Sequence, residues 1–256
     1  MAKDAREFEK AIKLRQHKPL ETGYKPVVDG FAYKFMGYEG PGATSEDKTN
    51  WMERDYQRDT MDFMLNNPKT LLANDQGTGK SGCILGAIMG RMNQKQVRRA
   101  LIIAPASLVT TSWPDEIKFW CRDQAMLDEI NKNKNLDKET RDIALRNVPT
   151  SVDYGLLTSK TKEDFYRDVL QTEKPFIGVT SYDMAVLHAK ELKRAGFDMV
   201  VLDEAQNIKT GETSDREGSL RSQVIKDMFE DTEYKIAATG TPIENSAEDL
   251  HSIVTW

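Results

Sequence analysis

The chain has 256 residues, 39% of them hydrophobic, and a formal net charge of −5. That length can bury a sizeable core as one large domain, or as one domain with an appendage; the acidic balance argues against strong nucleic-acid binding by the chain as a whole, while a local basic groove stays open. No apolar run approaches bilayer-spanning length, the start Met1-Ala2-Lys3-Asp4 leads into a charged stretch without an apolar signal core, and Cys83 and Cys121 lie too far apart for a metal or disulfide framework; a soluble, intracellular (cytoplasmic) protein with no membrane partner is expected.

Residues 1–50 read as a small amino-terminal appendage. An amphipathic helical pattern over 5–16 leads to Phe31, Tyr33 and Phe35, which alternate at strand period. They fit one buried face of a hairpin or edge strand, or else a base-stacking platform. Beyond residue 51, strand and helix patterns alternate. Strands are predicted at 69–73, 100–104, 154–158, 176–180, 199–202 and 235–239, with helical patterns at 82–95, 162–171, 183–195 and 219–229. Such alternation predicts an α/β domain: right-handed βαβ units and a mostly parallel sheet with helices on both faces. The stretch 121–150 is polar and charged, with Asn131-Lys132-Asn133-Lys134-Asn135 as a loop. It reads as an inserted helical arm or a solvated helix.

Three short signals follow predicted strands, at the carboxyl ends where open parallel sheets bind ligands. The first is Gly77-Thr78-Gly79-Lys80-Ser81. A glycine-rich turn lets consecutive backbone N–H groups face nucleotide phosphates, and the helix that follows adds its positive end. Lys80 suits the phosphate oxygens and Ser81 suits Mg²⁺. The phosphate-loop pattern G-x-x-x-x-G-K-[ST] asks for glycine where this chain has Asn74, so taken alone the segment also fits a strand-to-helix turn with an incidental lysine. The second signal is Asp203-Glu204-Ala205-Gln206, directly after the apolar run Asp198-Met199-Val200-Val201-Leu202. Asp203 suits a Mg²⁺ shell and Glu204 the orientation or deprotonation of attacking water, the division of labour that phosphoryl transfer to water requires. The alternative is an acidic helix start. The third signal is Thr239-Gly240-Thr241-Pro242.

Leu71-Leu72-Ala73-Asn74-Asp75-Gln76-Gly77-Thr78-Gly79-Lys80-Ser81 resembles the nucleotide-binding motif of Swi/Snf-type ATPases, a group within helicase superfamily two that also lacks the first glycine. Leu101 to Leu108 followed by Trp113 resembles that family's next motif, and Val179-Thr180-Ser181-Tyr182 the one after it. Asp203 to Lys209 is similar to its acidic box, and Ala238 to Asn245 to its third motif. The resemblance implies a RecA-like ATP-binding lobe over 51–256, with ATP and Mg²⁺ as cofactors. It implies adenine reading by Tyr56 and Gln57, phosphate binding by Gln76, Gly77, Thr78, Gly79, Lys80 and Ser81, and metal binding by Ser81 and Asp203. It further implies a catalytic set of Lys80, Asp203, Glu204 and Gln206, and coupling of nucleotide state to nucleic-acid grip through Thr239, Gly240 and Thr241.

Duplex DNA is the track that the resemblance implies. Ser107, Thr180 and Ser181 are candidates for backbone phosphates, because short hydroxyl side chains at strand ends reach them without reading bases; each is equally an ordinary turn or capping residue. The sequence stops within a helical pattern over 246–256, so a second RecA-like lobe and its arginine fingers are expected to be missing, leaving a chain that binds nucleotide and hydrolyses it poorly. Two other readings stand beside this one. An RNA or single-strand DNA helicase of the same superfamily is one, since the acidic box differs by one letter from D-E-A-D. A non-hydrolysing nucleotide-sensing scaffold is the other, which intact Lys80, Asp203 and Glu204 argue against. His17, His188 and His251 form no constellation.

Overall fold

The computed structural model describes residues 55–75, 77–208 and 216–241. The predicted appendage at 1–50, Gln76 and the helical pattern at 246–256 lie outside them. In chain order the elements are α1 (Asp55–Asn66), β1 (Lys69–Leu72), α2 (Lys80–Asn93), β2 (Arg99–Ala104), α3 (Ala106–Val109), α4 (Ser112–Trp120), α5 (Gln124–Lys132) and α6 (Lys138–Arg146). Then come β3 (Asp153–Leu157), α7 (Lys162–Gln171), β4 (Phe176–Ser181), α8 (Tyr182–Leu187), α9 (Ala189–Ala195), β5 (Met199–Asp203), a 3₁₀ turn (Ala205–Ile208), α10 (Arg216–Met228) and β6 (Tyr234–Ala238).

The strands form one six-stranded sheet in the order β1-β6-β5-β2-β4-β3, parallel at every pairing. β4 and β5 are buried along their whole length, as strands covered on both faces must be, and their β-branched and aliphatic residues match that environment. Alternation along the strands splits the core in two. On one face Ile102, Val179 and Val201 meet Met61 of α1, Ile84 and Ile88 of α2, and Trp113 and Ile117 of α4. On the other, Leu101, Ile103, Val200 and Leu202 meet Phe165 of α7, Tyr182 of α8, Leu192 of α9 and Ile225 of α10. Helices therefore cover both faces, as the alternating pattern predicted.

The close approach of α1 to α2 depends on glycine. A Cβ at Gly86 would fall 2.3 Å from Met61 Sδ, and one at Gly90 would fall 2.8 Å from Leu65 Cδ2. Arg91 fastens the same pair: its guanidinium donates to the carbonyls of Met64, Leu65 and Asn67 at the end of α1 and lies 4.0 Å over the Tyr234 ring.

Helical predictions are revised at three places, one being the pattern at 219–229, which is observed as Arg216–Met228. The pattern at 82–95 starts two residues earlier, at Lys80, because Gly79 turns the chain in the left-handed region; Lys95, at φ 59°, lies beyond its carboxyl end. The pattern at 183–195 is two helices meeting at His188, whose buried ring lies 6.2 Å from that of Tyr166 on α7. Within 121–150 lie α5 and α6, each capped by an aspartate, Asp123 accepting from the Met126 N–H and Asp137 from the Thr140 N–H. The base of this excursion is closed by an antiparallel bridge between Arg122 and Thr150. Asn131 and Lys132, predicted as loop, complete the last turn of α5.

Candidate functional site

Strand order brings the three signals together. β1, β6 and β5 are consecutive neighbours, and their register sets Leu72 beside Ala238 and Ala238 beside Asp203. The segments that follow these residues emerge side by side from the same edge of the sheet. One hydrogen bond stitches the first two, Thr239 N–H to Leu72 O at 3.0 Å.

Gly77 (φ 76°) and Gly79 (φ 81°) both lie in the left-handed region, open to glycine at little cost. Nothing approaches within 4 Å of where a Cβ on Gly77 would stand, so the loop there is open. Lys80 heads α2 and donates from Nζ to the carbonyls of Asn74 and Asp75, at 2.9 and 3.0 Å. The ammonium thus curls back over its own loop, where oxygen ligands surround it. Thr78 donates from Oγ1 to Asp75 O at 2.8 Å, tightening the same turn. Tyr56 and Gln57, at the start of α1, both donate to the Thr78 carbonyl, at 3.1 and 2.8 Å; Tyr56 is exposed and Gln57 buried. Ser81 lies half-buried in the first turn of α2.

Asp203 ends β5 with 8% of its surface exposed. Its Oδ2 accepts from Trp113 Nε1 at 3.0 Å and its Oδ1 from the Glu204 N–H at 3.1 Å. Burial holds its carboxyl above the ordinary range; the Trp113 bond opposes this, the Glu204 charge adds to it, and Lys80 works against it. Glu204 has φ 51°, a left-handed conformation that is costly for a residue with a Cβ. Tyr182 donates its hydroxyl to Asp203 O at 2.8 Å and reaches Glu204 O at 3.4 Å. Burial first, then the nearby Asp203 and Glu204, push the Tyr182 phenol well above its usual value, which keeps it a donor. Gln206 donates from Nε2 to Glu204 Oε2 at 2.9 Å and accepts from Thr239 Oγ1 at 2.7 Å. Thr239 Oγ1 also accepts from the Thr241 N–H at 3.1 Å. Gly240 lies half-buried between them.

The candidates for nucleic-acid contact separate. Ser107 is exposed on α3. Ser181 is buried and caps α8, accepting from the Met184 N–H at 3.2 Å. Thr180 is fully buried and donates its hydroxyl to Leu157 O at 3.2 Å; β4 runs one residue further than predicted, which keeps it inside the sheet. Trp113 and Tyr182 had no role in the sequence reading; only their places in the second and third resembling motifs pointed to them.

A parallel six-stranded sheet flanked by helices, with a glycine loop after its first strand and an acidic pair two strands away, is a RecA-like helicase fold. The SNF2-related domain family model matches residues 47–256, and the chain belongs to that family. It is 24% identical over 256 residues to Chromodomain-helicase-DNA-binding protein 6 of Rattus norvegicus, covering 98% of this chain and 8% of that protein. It is 23% identical over 234 residues to the ISWI chromatin-remodeling complex ATPase ISW2 of Saccharomyces cerevisiae, covering 90% of this chain and 18% of that protein. The chain therefore spans less than a fifth of the length of either relative. Among solved structures it is similar to the Sulfolobus solfataricus SWI2/SNF2 ATPase core in complex with dsDNA, with a TM-score of 0.55 and 24% identity over 80% of this chain and 35% of that one. It is also similar to the UvsW helicase from bacteriophage T4, with a TM-score of 0.57 and 14% identity over 98% of this chain and 74% of that one. Among the described residues, no helix is long and apolar enough to cross a membrane.

Proposed function

We propose that this chain is the ATP-binding lobe of a nucleic-acid-dependent ATPase whose whole protein couples ATP hydrolysis to movement along duplex DNA. The observation that carries the reading is the convergence of a lysine-headed glycine loop and a buried aspartate at one end of the sheet, on the strands β1 and β5 that flank β6. The residues fit Mg-ATP. The left-handed glycines leave backbone N–H groups and open space at the head of α2, and Lys80 is already ligated by oxygen. Mg²⁺ is usually held by one or two carboxylates together with substrate phosphates, and Asp203 supplies one such carboxylate at the end of β5.

In this reading Lys80 would give up its loop carbonyls for phosphate oxygens, and Ser81 and Asp203 would hold the metal. Bound Mg²⁺ supplies Lewis-acid neutralisation of charge on the phosphates. Tyr56 and Gln57 orient the adenine and, through Thr78 O, tie it to the phosphate loop. Glu204 accepts a proton from, or orients, the attacking water, held in place by Gln206. Ser107 and Ser181 are the remaining candidates for the DNA backbone. Arginines supplied by a second lobe would raise the rate by about 10³ to 10⁵. The names of the relatives, chromatin-remodeling ATPases and helicases, support the same reading.

The test is calorimetric titration of the chain with Mg-ATP and Mg-ADP, wild type beside Lys80→Ala. Saturable binding that the substitution removes is expected. Equal binding by both proteins would overturn the phosphate-loop assignment. Stimulation of the full-length protein's ATPase by RNA and not by duplex DNA would overturn the choice of track.

A further inference from the structure

Two buried aromatic side chains reach the acidic pair from opposite faces of the sheet. Trp113, on α4, is 2% exposed and packs in the core shared with α1 and α2. Its indole N–H ends on Asp203 Oδ2. Tyr182, the first residue of α8, is 4% exposed and packs in the core of the other face. Its hydroxyl ends on the carbonyls of Asp203 and Glu204. An indole or phenol buried in an apolar core has to place its polar end on a partner. Here both partners belong to the acidic pair.

The two contacts do different things. Trp113 holds one carboxylate oxygen of Asp203, and the Glu204 N–H holds the other, so the carboxylate plane is fixed before any ligand arrives. Tyr182 acts on the backbone. Glu204 sits at φ 51°, a conformation that persists only where its surroundings over-determine it, and the Tyr182 hydroxyl does so together with Asn207, which donates to Glu204 O from Nδ2 at 2.8 Å and from its N–H at 3.0 Å. Both aromatics also continue the segments that carry the remaining DNA-contact candidates. Ser181 is the neighbour of Tyr182, and α3, which holds Ser107, leads directly into α4.

We infer that Trp113 and Tyr182 are positioning residues for the acidic pair, Trp113 setting the metal-facing carboxylate of Asp203 and Tyr182 setting the turn that aims Glu204. Through them the segments bearing Ser107 and Ser181 are wired to the hydrolytic groups from both faces of the sheet. This rests on the ATPase reading above. The removal of a hydrogen bond to a charged group, as at Trp113, is commonly worth a factor of about ten or more, and of one to a neutral carbonyl, as at Tyr182, roughly two- to tenfold, which sets the size of the effects.

The experiment compares wild type, Trp113→Phe and Tyr182→Phe. The chain is titrated with ATP in EDTA and again with Mg²⁺. Trp113→Phe is expected to keep the metal-free affinity within about twofold, which also reports an intact phosphate loop, and to lose about tenfold of the gain conferred by Mg²⁺. In an Asp203→Asn background the same substitution is expected to change nothing further. Tyr182→Phe deletes one oxygen, so it remains informative even where Trp113→Phe fails to fold. It is expected to leave both affinities unchanged and to lower kcat of the full-length protein roughly two- to tenfold without altering KM. A full Mg²⁺ gain in Trp113→Phe, or wild-type kcat in Tyr182→Phe, would overturn the inference while leaving the ATPase reading intact. A wild-type chain whose ATP affinity ignores Mg²⁺ would overturn the metal role of Asp203, and this inference with it.

Discussion

Thr239 donates its hydroxyl to Gln206 Oε1 at 2.7 Å, and the other end of the same amide donates to Glu204 Oε2 at 2.9 Å. A threonine at the end of β6 therefore fixes which way the Gln206 amide faces, and through it the carboxylate that follows β5. The Thr241 N–H completes the chain on Thr239 Oγ1.

Thr239→Val keeps the shape and removes both bonds. Thr239 is fully buried, and the loss of its two hydroxyl hydrogen bonds costs about 1–3 kcal/mol, a drop of roughly 2–10 °C in Tm for a domain of this size. ATP affinity is expected to hold within about twofold, since the hydroxyl faces Gln206 and not the phosphate loop. DNA-stimulated turnover of the full-length protein is expected to fall about tenfold. Thermal unfolding and steady-state kinetics together check this. Unchanged turnover would show that the Glu204–Gln206–Thr239 chain is idle.

Gly77 separates conformation from crowding. With φ 76° and open space around a Cβ, Gly77→Ala meets no clash and pays only the left-handed backbone term of about 1–2 kcal/mol. Asparagine tolerates that region better, so Gly77→Asn is expected to be the milder change. Denaturant unfolding and ATP titration of both variants give the ranking; an alanine variant as good as wild type would mean the loop changes its φ on binding.

Arg91 is buried and serves three carbonyls of α1, the Gln96 side chain and the Tyr234 ring. Arg91→Met is expected to cost about 3–5 kcal/mol, because carbonyls at a helix end are left without donors. Arg91→Lys is expected to rescue little, since an ammonium cannot fork across those acceptors. Urea unfolding midpoints decide the matter, and near-wild-type stability of either variant would refute it.

Both cysteines are buried, and burial pushes the Cys121 thiol up to about 12. At pH 8 roughly one Cys121 in 10⁴ is then thiolate, the reactive form. A disulfide reagent such as DTNB is expected to find no fast thiol in the folded protein and two after denaturation. Rapid native labelling would place the Cys121 segment at the surface.

The strands were legible because parallel strands buried on both faces are short apolar runs bounded by polar residues, and all six lie within a residue or so of their predicted positions. Their lateral order was not. Nothing in Leu71 or Val201 says that β6 lies between their strands. The same limit hid the Trp113–Asp203 bond, whose partners are 90 positions apart and share no periodic pattern. Thr180 shows how small the margin is: one more residue of strand moves a hydroxyl from a strand end into the sheet. Tyr56 and Gln57 were picked out by resemblance alone, and only the glycine-lined approach of α1 to α2 explains how they arrive at Thr78.

In the sheet β1 touches a single neighbour, β6, the last described strand to be synthesised. A chain leaving the ribosome amino end first therefore completes β2 to β5, which pair with one another, before β1 has the strand that joins it to them. Pairings this distant in sequence are slow to close and leave strand edges exposed meanwhile. The glycine loop between β1 and α2 is therefore joined to the rest of the sheet only once the strand carrying Ala238 has formed.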